Sequence, residues 1–202
     1  GTAVDNKYVW NFTTIGGLPV ISAPKAYNVT GDEATIFFAY DMGADVPPIT
    51  SLKVYYKKST DDTYMERALL EGTDYDKADG STCFVTLTGL DASTKYDVYV
   101  EAVNEAGTTY DKARLKGEGE NIHFTTKAMS GNGSSAAPFQ IKDATGFNQI
   151  GTGDYGVNAW YVLMNNIEDA NTITSRGEFT GNLNGNGFKI GDTTALATNL
   201  FS

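Results

Sequence analysis

Residues 90–107, LDASTKYDVYVEAVNEAG, constrain the fold more than any other part of this chain. Val98, Val100 and Ala102 alternate with Asp97, Tyr99 and Glu101, and period two marks a strand with one buried face. Tyr96 opens that strand six residues after Leu90, just past a turn. A tyrosine in this place is the corner of a β-sandwich. Its ring fills the edge of the core and its hydroxyl ties back to upstream backbone. The segment therefore speaks to architecture. It does not speak to function, because sandwiches carry many unrelated roles.

The chain has 202 residues, room for one or two domains. It is 41% hydrophobic and 20% charged, enough to bury a core. Its 22 glycines and 12 tyrosines, with many Thr and Asn, favour short strands joined by turns. A net charge of −10 argues against a nucleic-acid partner, whose phosphates require Lys and Arg. No apolar run approaches membrane-spanning length. Cys83 is the single cysteine, so no intramolecular disulfide can form. It shares a strand face with Val85 and Leu87 and reads as a small core residue.

Several further runs read as strands. Val20 and Ile21 lie between Pro19 and Pro24. EATIFFAY begins at Glu33, SLKVYYKK at Ser51 and STCFVTLTGL at Ser81. The stretch 110–121 is long and charged, and is expected to be either an extended hairpin or an exposed loop. Together with the corner, these runs resemble strands B, C, E and F of the fibronectin type III family. Phe38 stands where that family usually has tryptophan. The resemblance covers about 110 residues and implies an immunoglobulin-like sandwich over 18–128.

The motif FTT occurs at Phe12 and again at Phe124, 112 residues apart, about one sandwich domain. Residues 1–17 are thus expected to be the closing strand of a preceding sandwich or an N-terminal arm. The alternative is that this strand pairs with the sandwich that follows. Residues 129–137, MSGNGSSAA, have the composition of a linker.

Beyond residue 137 the chain is rich in Gly, Asn and Thr, with short apolar pieces. Tyr161, Leu163, Asn166 and Ile167 form one such piece. Phe179, Gly181, Leu183, Asn184, Gly185, Asn186, Gly187, Phe188 and Ile190 form a second, and Leu200 and Phe201 a third. The series resembles the start of the GLUG-type repeat region of bacterial surface proteins. That resemblance implies the first rungs of a β-solenoid, similar to a parallel β-helix, over 138–202. Gly and Asn would take the corners between strands. The last rung is expected to present an open edge for pairing with another copy. The fold class is then all-β, a sandwich plus a short solenoid.

Chemistry is sparse. His123 is the only histidine and alternates opposite Ile122 and Phe124, so it points to solvent. No second His or Cys cluster supports a metal, and no GxSxG supports a nucleophile. Asp61, Asp62, Asp74, Asp76, Glu118, Glu120, Glu168 and Asp169 lie in loop-like stretches and read as solvated turn residues. NLNGNGFKIGD offers neutral amides where a calcium loop needs Asp and Glu, so it reads as an Asn-Gly turn. The triplet 192–194 fits a loose O-glycosylation pattern of some gut surface bacteria. No cofactor is expected.

Exposed aromatics are the remaining handle. Tyr55, Tyr64, Tyr99, Tyr110, Tyr155 and Trp160 cannot all point inward. Tyr110, Tyr155 and Trp160 are the candidate ligand contacts, since such rings stack on sugars or anchor a protein partner. The expected role is that of a non-catalytic module of an exported bacterial surface protein. It would bind host glycan, polysaccharide or protein, or act as a spacer, outside the cell. The alternative is an accessory region of a secreted polysaccharide-degrading enzyme with its catalytic part elsewhere.

Overall fold

The computed structural model describes residues 16–75, 80–115, 122–168, 172–174 and 177–191. The expected strand around residues 9–14 lies outside these, as do Asp76, Glu118, Glu120, Asp169, the triplet 192–194 and the closing Leu200 and Phe201.

Two antiparallel sheets form first along the chain. β1 (Val20–Ile21) and β2 (Lys25–Tyr27) share one edge of β3 (Glu33–Asp41). The second sheet begins with β4 (Ser51–Lys58) and β5 (Met65–Ala68), paired antiparallel. β6 (Ser81–Thr88) returns to the first sheet and runs beside β3 from Glu33↔Thr88 to Tyr40↔Ser81. β7 (Lys95–Asn104) lies beside β4, and β8 (Gly107–Tyr110) beside β7. Alternation places one set of side chains inward from each sheet. Ala34, Ile36, Phe38 and Tyr40 meet Cys83, Val85 and Leu87 within the first sheet. They share one core with Leu52, Val54, Val98, Val100 and Ala102 from the second. Each such large apolar side chain contributes about 1.5–3 kcal/mol by leaving water. Burial also pushes the Cys83 thiol up to about 12, which keeps it protonated and inert.

The corner forms as its spacing requires. Tyr96 is buried, and its hydroxyl oxygen accepts the backbone N–H of Asp91 at 2.9 Å. Its ring stacks on Phe124, 5.5 Å between centroids. Leu90 is buried beside it and donates its backbone N–H to the Asp32 carbonyl.

Of the charged stretch 110–121, residues 116–121 lie outside the described residues, and the described part does not extend the β7–β8 hairpin. The hairpin turn sits earlier, at 105–106 between β7 and β8. After β8 the chain breaks off at Asp111 into the short helix α1 (Lys112–Leu115), then returns as β9 (Ile122–Thr125). β9 pairs with the first half of β7, whereas β8 pairs with the last. β8 and β9 therefore lie along the same side of β7, one after the other. Asp111 closes the break. Its backbone N–H donates to the Val100 carbonyl, and its carboxylate accepts the Val100 N–H at 2.8 Å. A side chain thus replaces the backbone acceptor that an unbroken strand would supply.

A second core follows. Met129, at the front of the Gly/Ser stretch, is already buried in it. β10 (Phe139–Ile141) leads into a helical turn, α2 (Ala144–Phe147), capped by Asp143, whose carboxylate accepts the Gly146 N–H. β11 (Trp160–Leu163) pairs parallel with β10, and β12 (Asn182–Asn184) parallel with β11. Phe139, Tyr161 and Leu183 fall opposite one another, so the repeat is 22 residues per strand. The first two meet at a tilt, 5.5 Å between ring centroids, and Ile141 and Leu163 form the next layer. A parallel bridge joins Ile167 to Ile190. Asn186 and Gly187 turn the chain after β12 with φ of 49° and 81°, the left-handed conformations that Asn and Gly adopt most readily.

The two cores meet at a close joint. The Lys127 N–H donates to the Thr30 carbonyl at 2.9 Å. Asp32 accepts the Ser130 hydroxyl and faces the Lys142 ammonium at 3.4 Å. Gly31 packs so tightly that a Cβ there would lie 2.8 Å from the Met129 carbonyl carbon. Burial alone would raise the Asp32 carboxyl, but the Ser130 hydroxyl and Lys142 outweigh it and hold the group below its usual range.

Candidate aromatic binding faces

The outer face of the second sheet gathers tyrosines. Tyr55 on β4 and Tyr99 on β7 are register partners and stack at 4.8 Å with 10° between planes. Tyr64 meets Tyr99 edge-on at 4.9 Å, and Tyr110 at the end of β8 meets it at 6.0 Å. The Arg114 guanidinium from α1 lies 3.9 Å above the Tyr99 ring and 5.3 Å from Tyr110. Tyr99 is only 8% exposed as a result. Burial pushes its hydroxyl up to about 12, against the opposing pull of Arg114. The rings cover one another and leave little free π-face, so this cluster works as cross-strand packing.

The outer face of the first sheet is different. Tyr27 on β2, Phe37 on β3 and Phe84 on β6 come together across three strands. Phe37 and Phe84 are register partners. Their centroids are 5.0 Å apart, and Tyr27 meets Phe37 edge-on at 5.9 Å. Phe84 is 65% exposed and Tyr27 47%. Asn28 and Thr35 complete an open recess of about 280 Å³. Contiguous exposed rings of this kind mark interaction sites more often than chance.

The three sequence candidates do not converge. Tyr110 belongs to the tyrosine cluster just described. Tyr155 is buried in the second core, where its hydroxyl oxygen accepts the Met129 N–H at 3.2 Å and its ring meets Phe139. Trp160 is 43% exposed, at the start of β11 opposite Asn182. His123 lies at the surface with its Nδ1 3.0 Å from Asp97. Among the described residues no group of three or more His, Cys, Asp or Glu side chains could hold a metal ion. No described helix is long and apolar enough to cross a membrane.

The strand order and the corner define a β-sandwich module with a parallel-stranded segment attached. No protein-family model matches the sequence, and no curated protein does. Similar solved structures include a fibronectin type III domain of human collagen XX, at 17% identity and a TM-score of 0.36. The match covers 58% of this chain and all of that one. A myokine structure aligns at 18% identity and a TM-score of 0.37, over 52% of this chain and 97% of the other. A run of titin domains aligns at 17% and 0.37, over 54% of this chain and 32% of its own. The sandwich reading rests on the pairing and the corner within this chain, not on these likenesses.

Proposed function

We propose that this chain is a non-catalytic module of an exported bacterial surface protein, one that presents a binding surface outside the cell. On this reading residues 18–128 are a fibronectin type III-like sandwich, and the segment from residue 138 holds the first rungs of a GLUG-like β-solenoid. One observation carries it. β10, β11 and β12 are parallel, in register and 22 residues apart, and they follow the sandwich without a long separating linker. Stacked repeats bury a core only against their neighbours, and chains built so present long surfaces to ligands. The far side of β12 is where a further rung or a second copy would add. An acidic surface suits solubility in that setting.

The test is binding of the whole chain to arrays of host glycans, mucins and matrix proteins. The reading expects saturable binding to at least one class. Silence on every class, with the protein folded by circular dichroism, overturns the binding role and leaves a spacer.

A further inference from the structure

We propose that the notch formed by Tyr27, Phe37 and Phe84, edged by Asn28 and Thr35, is a binding site for a neutral pyranose unit of a saccharide. The proposal rests on the adhesive reading above and deepens it to one site and one ligand class. The chemistry is that of the lining. A pyranose has an apolar face of C–H bonds and a rim of hydroxyls. An aromatic ring accepts the first, and amides and hydroxyls accept the second.

The rings are held for this purpose by the sheet itself. Phe37 and Phe84 are opposed on β3 and β6 and tilted 49° to one another. Tyr27 stands at 85° to Phe37 and forms a second wall. The space is a two-sided notch, open to solvent, of about 280 Å³. Its polar edge is uncommitted. Among the described residues, no hydrogen bond to another protein group is formed by the side chains of Asn28, Thr35 or Tyr27. Asn28 sits at φ of 48° directly after β2 and is one of the lining residues. Thr82 and Thr86 flank Phe84 on the same outward face of β6.

Charge selects within the sugar class. The five lining residues carry no ionisable cation, and the whole chain is at −10. Lys25 is in register with Phe37 but lies outside the lining. The uncharged lining matches a neutral hexose or N-acetylhexosamine unit. The notch is also too small a surface to hold a protein partner by itself.

The experiment uses the full chain on immobilised oligosaccharides of glucose, galactose, mannose and N-acetylglucosamine. Sialylated and uronate-bearing counterparts are included. Phe84→Ala and Tyr27→Ala are exposed truncations, so both variants keep the fold. Each should weaken binding of a neutral glycan about tenfold or more, while Phe84→Tyr, which restores a ring, should bind within about threefold of the parent. Tyr110→Ala, in the other cluster, should leave binding unchanged. Neutral-glycan binding that survives both truncations overturns this site and leaves the adhesive reading standing. Binding to matrix proteins alone, or stronger binding to the acidic glycans, overturns the ligand class. A dimer in sedimentation that is lost in Phe84→Ala assigns the face to a second copy and overturns the proposal as well.

Discussion

At the scale of single residues, the Tyr96 hydroxyl does one defined thing. It satisfies the Asp91 N–H across the corner, and the ring remains buried whether or not the oxygen is present. Tyr96→Phe should therefore cost about 1 kcal/mol in urea unfolding with no change in slope. A loss near zero would mean that water satisfies Asp91 equally well. The corner was legible in the sequence because its spacing and alternation are local. The notch was not. Tyr27, Phe37 and Phe84 come from three separate strands, and only the register of β2, β3 and β6 brings them together. A signal existed, since Phe84 alternates against Cys83 and Val85 and so must face outward. With Phe38 at the core position, Phe37 falls on the outward face as well, but nothing local shows that Phe37 and Phe84 are opposite one another. Tyr155 misled in the opposite direction. It lies in a turn, where alternation gives no sense of inward or outward, and the second core absorbs it.

At the scale of elements, the placing of β8 and β9 along one side of β7 is the chief departure from expectation. Charge and length in 110–121 leave an extended hairpin and an exposed loop both open, and the rejoining at β9 depends on pairing with β7 that no local pattern reveals. Asp111 is 1% exposed and bridges the break. It also accepts the Arg114 N–H at 3.2 Å. Asp111→Ala leaves the Val100 N–H buried without its acceptor and should cost about 1.5–3 kcal/mol. Asp111→Asn keeps an oxygen there and should lose less. Thermal unfolding of the two variants checks the order, and equal losses would show that charge alone matters. β3 and β6 of the first sheet, by contrast, are readable almost residue by residue, because burial alternates along each.

At the scale of the molecule, the joint decides whether sandwich and parallel segment behave as one body. Asp32 pairs with Lys142 and accepts Ser130, and Lys127 pairs with Asp154 as a second ion pair across it. Its folded carboxyl titrates below the unfolded value of about 3.9. Its contribution is therefore complete above that pH and disappears as pH falls through the folded value. The pair is partly exposed, so Asp32→Asn should cost only about 0.2–1 kcal/mol at pH 7. The gap between parent and variant should shrink as pH falls below the unfolded carboxyl value of about 3.9 and through the lower folded one. Urea unfolding at neutral pH and in acid measures it, and a gap that persists in acid would assign the effect to shape and not charge.

Beyond the sandwich, β10, β11 and β12 pair in parallel at a constant offset of 22 residues. Nuclear Overhauser contacts in solution test it most directly. The account predicts backbone contacts from Gln140 to Val162 and from Val162 to Asn184, in parallel pairs at constant offset. Antiparallel pairs, or an offset that changes from one pair to the next, would contradict it.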